Sequence, residues 1–590
     1  YFAHVMDRRF LPSGRVRYFP SSEYLGEGRF VSRLTQQSRT VRVRRRIVDT
    51  TYLEGSVPAT SPPPFEVADG VRCVPAGEIA RIGERAERFV IIGAGKTALD
   101  ASLFQKKRVV GGWLYESNPD WVEDWAGNTT AHSAVDPAWL RPARPVIALD
   151  VAPGDLADLL NQPLGRGKEW ERPAALAFYR NGQRVFADQV GVRLHGGRSR
   201  LPGRTHSFRV YLRDEYGPSP FLPEWIGGAT CRRLSRFVIR ADWPARYPFA
   251  GLLALDVAER LGCTVPRTQP VALALNGQLQ TTVYHLSEHV GRAAWADRLG
   301  HRDFWMFIYK GQSEETAEKA YGEWSHRIVW YPLDYERLER EADLDNLCAY
   351  IFAVAYAGVT DGFQGAAIRN LRDERPRWTW INWDMDHGFW DFHGELYARP
   401  GWAQESWELV YKRHGDRNYA FWRGRGDVRS ILFARLMDEV PAFRERFLRF
   451  AADSFNHRLT DVFMAARIDR YEELARAFGR TDLEFIAEYR EFARQRPAVL
   501  RAGLQRLFAA GELRRVDVRV PADARLRIDG FDHAGPFSGI YFDGQTVAIE
   551  WAGPAEGFRG WTLDGAPAAA GTRLEFAVAG DRAVAAETAP

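Results

Sequence analysis

The chain has 590 residues, 45% of them hydrophobic and 26% charged, with a formal net charge of +4 at pH 7. That length can bury several cores and predicts about four domains. The mild charge, with no dense basic block beyond residues 41–46 (VRVRRR), which read as a solvated β-edge, argues against a nucleic-acid partner, and no apolar run reaches the roughly 18 to 20 residues of a membrane span. Cys73, Cys231, Cys263 and Cys348 show no C-x-x-C spacing, so neither a zinc site nor a disulfide framework is expected.

Residues 88–104 (RFVIIGAGKTALDASLF) place a buried-strand run ahead of Gly93-x-Gly95-x-x-Ala98 and a helix start, the context of a dinucleotide-binding loop. With residues 10–54 and the proline-rich 61–65, this region resembles a flavin-linked NAD(P)-binding oxidoreductase. A complete Rossmann unit needs its helix to continue into a second parallel strand. Here Lys106-Lys107-Arg108, Gly111-Gly112-Trp113 and Asn118-Pro119-Asp120 interrupt it, and Tyr1 stands where an initiator methionine would. Residues 1–105 are therefore expected to be a truncated, Rossmann-like α/β fragment that binds neither FAD nor NAD(P), joined through 106–144 to the rest. An oxidoreductase activity of this segment is the rival reading.

Residues 190–217 (VGVRLHGGRSRLPGRTHSFRVYLRDEYG) read as β-structure around a glycine turn, in which Gly196 and Gly197 let backbone approach a phosphate and Arg193, Arg198 and Arg200 can donate to it. A surface hairpin with solvated arginines has the same pattern. Further on, residues 271–275, Asn276-Gly277 and residues 281–286 form a β-hairpin signal with a type I′ turn, running into Ser287-Glu288-His289-Val290.

Residues 344–357 (LDNLCAYIFAVAYA) predict a helix that Gly358-Val359-Thr360 breaks, leaving Asp361 at its exit. Residues 377–386 (RWTWINWDMD) alternate as a strand, with Trp378, Trp380, Asn382, Asp384 and Asp386 on one face. Phosphoryl transfer needs a carboxylate to orient and deprotonate a nucleophile, and a carboxylate with an amide oxygen to hold magnesium. Asp361, Asn370 and Asp384 offer those groups in that order. An Asp-x-Asp on a hairpin also serves to cap turns or to pair with arginine.

Residues 344–390 resemble the catalytic segment of the spore-coat protein H (CotH) kinase family, where an aspartate after a helix, a downstream asparagine and a W-D-x-D strand recur. Here these are Thr360-Asp361, Arg369-Asn370 and Trp383-Asp384-Met385-Asp386. Residues 190–217 are similar to the family's opening β-structure, and the hairpin ending in Glu288 to its lobe-joining hinge. Where the family carries a lysine just before Ser207, this chain has Thr205 and His206; Arg204, Arg209 or Lys310 would have to substitute, and arginine and lysine are not equivalent there.

The resemblance implies an α+β, atypical protein-kinase-like two-lobed fold over residues 145–510. Helices are expected near 430–456 and 482–508, and a small antiparallel β module over 511–590, where the period changes to two. It further implies Asp361 as catalytic base, and Asp384 and Asn370 as ligands of Mg2+ (or Mn2+), with Asp386 as a second-metal or supporting carboxylate. Arg193, Arg198, Arg200, Arg209, Glu288, Val290 and Lys310 would surround ATP. The expected activity is transfer of the ATP γ-phosphate to serine of a protein substrate; a pseudokinase or surface-binding protein is the non-enzymatic alternative. The family is largely secreted or spore-associated, and no signal peptide is visible, so the compartment stays open.

Overall fold

The computed structural model describes residues 22–26, 29–33, 36–41, 132–201, 204–217, 221, 223–226, 228, 234–309, 313–359, 363–390, 400–413, 427–554 and 557–588. The chain divides into two compact units, residues 1–127 and 128–590. In the first, β1 (Ser22–Gly26), β2 (Arg29–Ser32) and β3 (Ser38–Thr40) form an antiparallel sheet. Gly93, Gly95 and Ala98 lie outside the described residues, as do Asp361 and Lys310.

The second unit opens with an eight-stranded sheet. Its strands are β4 (Val146–Val151), β5 (Arg172–Arg180), β6 (Gln183–His195), β7 (Ser207–Tyr211), β8 (Arg236–Ala241), β9 (Thr268–Leu275), β10 (Gln278–Leu279) and β11 (Tyr284–Glu288), in the order β10-β9-β11-β8-β7-β6-β5-β4. A further parallel pairing of β4 with β9 closes the sheet on itself. Alternation decides what the closed sheet encloses: Val190, Val192 and Leu194, then Phe208 and Val210, then Phe237 and Ile239 share one core with Ile147, Leu176 and Leu273. Asn276 and Gly277 take φ of 47° and 72°, the paired positive values of the expected type I′ turn, and Asn276 also bonds both backbone groups of Val151.

Beyond this sheet the chain is mainly helical. Helix α1 (Pro153–Asn161) packs on the sheet core; α2 (Ala250–Arg260), α3 (Arg292–Leu299), α4 (Glu315–Trp330), α5 (Tyr335–Glu341) and α6 (Leu344–Ala357) follow, then α7 (Val428–Glu439), α8 (Pro441–Asp453), α9 (Asp461–Ala477) and α10 (Glu484–Phe508). The single helix expected near 430–456 is two, because Pro441 cannot continue α7 and instead starts α8, which ends in a π-helical turn, Ser454–Arg458. Helix α6 has the expected bounds and lies at the centre of the largest core, with Leu347, Ile351, Phe352 and Tyr356 all fully buried. Among the described residues no helix is long and apolar enough to cross a membrane.

A small antiparallel sheet, β12 (Phe304–Ile308), β13 (Ala366–Asn370) and β14 (Trp378–Ile381), lies against α4 and α6, with Trp378 and Trp380 in the helical core and Ile381 in a separate cluster with Trp295 and Met306. From Leu513 the chain is β-structure to Thr588, in a five-stranded and a four-stranded sheet that share a core of Val516, Val518, Ile528, Ile549 and Trp561. Helices and largely antiparallel sheets in succession make an α+β protein.

Candidate functional site

The face of the closed sheet opposite its core is polar, and it is basic. Arg193 and His195 on β6, Ser207, Arg209 and Tyr211 on β7, Arg236, Val238 and Arg240 on β8, and His285 and Ser287 on β11 occupy it, as the registers Arg193↔Arg209, His195↔Ser207, Arg209↔Val238, Tyr211↔Arg236, Ser287↔Val238 and His285↔Arg240 require. The guanidinium groups of Arg193 and Arg236 lie over the ring of Tyr211, at 5.6 and 5.4 Å from its centre. Arg209 reaches His195 Nδ1 at 3.1 Å, and Arg193 donates to the carbonyl of Gly167.

This concentration of positive charge sets the protonation of the histidines. Burial, followed by Arg209, Arg240, Arg200 and Arg193, pushes the pKa of His195 well below the ordinary histidine value. Burial and then Arg209, His195, Arg236 and Arg193 do the same for His289, whose ring centre lies 6.0 Å from that of His195. Burial also lowers Arg200, Arg209 and Arg236. The Nε atoms of these three arginines are buried without a hydrogen-bond partner, and no described carboxylate forms an ion pair with them or with Arg193. Arg200 is buried and Arg209 and Arg236 are half-buried, so their unpaired charge carries a desolvation cost that an anionic ligand would offset.

The carboxylates come from the segment after β14. That strand ends at Ile381, earlier than the expected run to Asp386, since Asp384 takes a left-handed φ of 61°. Such a conformation is strained for a residue with a Cβ and is held only by its surroundings. Asp384 and Asp386 therefore sit in a loop, and they meet because Arg240 of β8 donates to both: to Asp384 Oδ1, and to Asp386 Oδ2 at 2.6 Å. Burial acts to lower the pKa of Arg240, and the two aspartates more than reverse it. Asp386 packs against Gly251 in the first turn of α2, and its carbonyl accepts from Trp390 Nε1 at 2.8 Å. Trp383 lies 6.5 Å from His195, ring to ring, so the aspartate loop and the basic face share one junction.

Of the other expected ligands, the structure brings Arg193, Arg200 and Arg209 to this junction. Arg198 lies in the adjoining turn, Arg198–Arg200. Asn370 is not beside Asp384. It ends β13 four residues from Ala366, the partner of Ile381, a span of about 13 Å. There its amide binds Asp373 Oδ1 at 2.7 Å and accepts from Arg372 N, closing the β13–β14 turn. The buried amide next to the aspartates is Asn382, 1% exposed, whose side-chain oxygen and nitrogen both lack partners. Glu288 points to the opposite face from His285 and Ser287, where its Oε2 accepts from Arg267 N and Arg298; Val290 packs with Trp295 and Ile381. Ser207 accepts from Ala241 N, and so ties β7 to β8.

Asp361 falls between two flanks that buried arginines hold. Helix α6 ends at Gly358 with φ 70°, whose N–H returns to Val354 and Ala355 as a left-handed cap. Arg496 of α10, fully buried, donates to the carbonyls of Ala355, Tyr356, Trp402 and Gln404. On the far side Arg429, also fully buried and paired with Asp427, donates to the carbonyls of Phe363 and Gln364. Sequence reading overlooked Arg240, Arg236 and His195. The alternation R-F-V-I-R-A in β8 and V-R-L-H in β6 was the signal that could have found them.

Comparison with known proteins agrees with this part of the chain. Residues 333–500 match the family described as CotH kinase protein, a span that runs from α5 through the aspartate loop into α10. Separately, the uncharacterized protein Rv2000 of Mycobacterium tuberculosis and the uncharacterized protein Mb2023 of Mycobacterium bovis are each 50% identical over 104 residues, 18% of this chain and 19% of theirs. The chain thus spans about a fifth of the length of the curated relatives it matches. Their names carry no activity, and the oxidoreductase-like reading of residues 1–105 gains no support from them. The segment that supplies Asp384, Asp386 and both buried arginine anchors thus lies within the residues, 333–500, that are similar to the CotH kinase protein family.

Proposed function

We propose that the protein is an ATP-dependent protein kinase of the CotH type, with a two-lobed kinase arrangement in which the closed sheet and the helical region flank the nucleotide. The observation that carries this reading is the meeting of an uncompensated arginine face with a pair of aspartates at one junction. Polyphosphate needs cations on one side and a carboxylate-held divalent ion on the other.

The residues present fit such an ion. Asp384 keeps Oδ2 without a partner among the described residues, Asp386 lies two residues on, and the orphaned amide of Asn382 offers an oxygen in place of Asn370. Magnesium bound there would neutralise charge on the phosphates as they are transferred. Arg193, Arg200, Arg209 and Arg236 would hold the phosphates by charge-assisted hydrogen bonds, and the neutral imidazoles of His195 and His289 add polar contacts without adding charge. Asp361 takes the proton of a serine hydroxyl, the oxygen attacks the γ-phosphorus in line, and ADP leaves as the phosphoserine forms.

One observation favours the pseudokinase reading. Arg240 already neutralises both aspartates, so metal binding has to compete with it. Thermal-shift titrations with ATP-magnesium, ATP alone and NADPH, alongside a γ-phosphate transfer assay on serine peptides, test the proposal. The kinase reading expects stabilisation by ATP-magnesium above that by ATP alone, together with transfer. Stabilisation without transfer to any protein or peptide would favour the pseudokinase, and stabilisation by NADPH alone the oxidoreductase.

A further inference from the structure

Where the C-terminal sheets meet the helical region, three ligand-type side chains converge. Helix α8 ends at Asp453, and the π-helical turn Ser454–Arg458 turns His457 inward. Single π turns recur at functional positions. Asp529, at φ 52°, occupies the turn between the strands Arg525–Ile528 and Phe531–Ala534. Ligand atoms of Asp453, His457 and Asp529 all lie within 4.8 Å of one another.

The hydrogen bonding around this cluster leaves the inward atoms unsatisfied. His457 Nδ1 lies 2.8 Å from His533 Nε2, so that bond occupies the outer nitrogen. The ring is clamped between Phe531 and Phe537, both within 12° of parallel, and its side chain is fully buried. His457 Nε2, on the inner side, is 3.5 Å from Asp529 Oδ2 and makes no hydrogen bond. Asp453 Oδ1 is buried and has no partner either. Asp529 is oriented from behind: its Oδ1 accepts from Ala548 N at 3.0 Å and pairs with Arg449 at 3.3 Å, and its Oδ2 accepts from Tyr541. Two carboxylate oxygens and an imidazole nitrogen thus face one another out of water, an arrangement that costs several kcal/mol unless a cation lies between them.

We propose that Asp453, His457 and Asp529 bind one zinc-class divalent cation, which fastens the C-terminal sheets to helix α8. Bonds of about 2.0 to 2.1 Å in a tetrahedron set ligand atoms about 3.4 Å apart, the spacing already present between His457 and Asp529. His533 plays the part of the outer partner that fixes the tautomer of a metal-bound histidine. The same interface is built for rigidity: Asn456, next to His457, exchanges two hydrogen bonds of 3.0 Å with the backbone of Ile540, as a strand neighbour would. A nitrogen and oxygen donor set with three protein ligands suits zinc or cobalt better than magnesium. Cysteine spacing cannot reveal such a site, since no thiol takes part.

The test uses the full chain stripped with EDTA, reloaded with Zn2+ or Co2+ and desalted. The proposal expects about one retained zinc per chain by mass spectrometry, a rise in melting temperature on zinc addition, and visible cobalt absorption of a four-coordinate site. Asp384→Asn should retain all three, which separates this site from the proposed nucleotide site. Asp453→Asn should lose them, and His533→Gln, which keeps every ligand, should weaken zinc binding roughly 10- to 100-fold. Failure of the wild-type chain to retain zinc overturns the proposal whatever the variants do. So does retention that neither Asp453→Asn nor His533→Gln reduces.

Discussion

Arg240 on β8 holds Asp384 across the junction between the closed sheet and the helical region, and the same guanidinium nitrogen reaches Asp386. The pair is four-fifths buried, so removing the cation leaves two carboxylates facing each other in a poor solvent. Arg240→Met should therefore cost about 2–3 kcal/mol in chemical denaturation without divalent ions, a breaking cost moderated by partial exposure. Magnesium should restore more stability to this variant than to the wild type. Equal magnesium responses in the two proteins would mean that the aspartates are not a metal site.

Asp384→Asn makes the complementary change. The amide keeps a hydrogen bond to Arg240 but loses the charge a divalent ion needs, so the chain should still unfold cooperatively. Stabilisation by ATP-magnesium should fall to the level given by ATP alone. A calorimetric titration with unchanged ATP-magnesium affinity would remove Asp384 from the metal assignment.

The arginine face predicts a change of sign between stability and binding. Arg209 is half-buried, its buried Nε is unpartnered, and desolvation lowers its pKa. Arg209→Met should thus leave the ligand-free protein at least as stable as the wild type. ATP affinity should drop roughly 10- to 100-fold, the scale of one or two charge-assisted hydrogen bonds. A variant that melts lower yet binds ATP normally would make Arg209 a structural residue.

Much of this was legible in the sequence, and the misses share a cause. Helix α6 and the Asn276-Gly277 turn follow from local pattern, because an apolar run of 14 residues and a positive-φ dipeptide have few alternatives. The aspartate segment looked like a longer strand because its alternation continues past Ile381. What ends the strand is the tertiary grip of Arg240 on Asp384, a contact 144 residues away in the chain. Asn370 misled for the same reason: its spacing suited a metal ligand, but the β12–β13–β14 register puts it at the far end of the sheet. The paired aspartates do meet an arginine, the structural role that their spacing alone left open.

The two neutral histidines give the protein an acid sensitivity. His195 and His289 have folded-state pKa values depressed by burial and neighbouring arginines, whereas in the unfolded chain they titrate near 6.5. Their contribution to stability is complete above that value. It is lost as pH falls towards the folded values, because only the unfolded state takes up the protons. Each histidine can add a slope of at most about 1.4 kcal/mol per pH unit. Denaturation between pH 7.5 and 5 should show this loss, and His195→Gln should flatten it; an identical slope in the variant would mean that His195 is protonated in the fold.

Asp361 tests chemistry apart from binding. The described residues on either side of it are fixed, by Arg496 at the end of α6 and by Arg429 at Phe363 and Gln364. Asp361→Asn should keep ATP affinity within a few-fold and lower kcat by roughly 100-fold or more, the scale expected when a general base is lost. Arg429→Met should instead destabilise the whole chain by about 3–5 kcal/mol, since it leaves Asp427 and two carbonyls buried without their donor. Kinetics and melting on the two variants separate the roles: if Asp361→Asn turns over at the wild-type rate, the base lies elsewhere and Asp361 is structural.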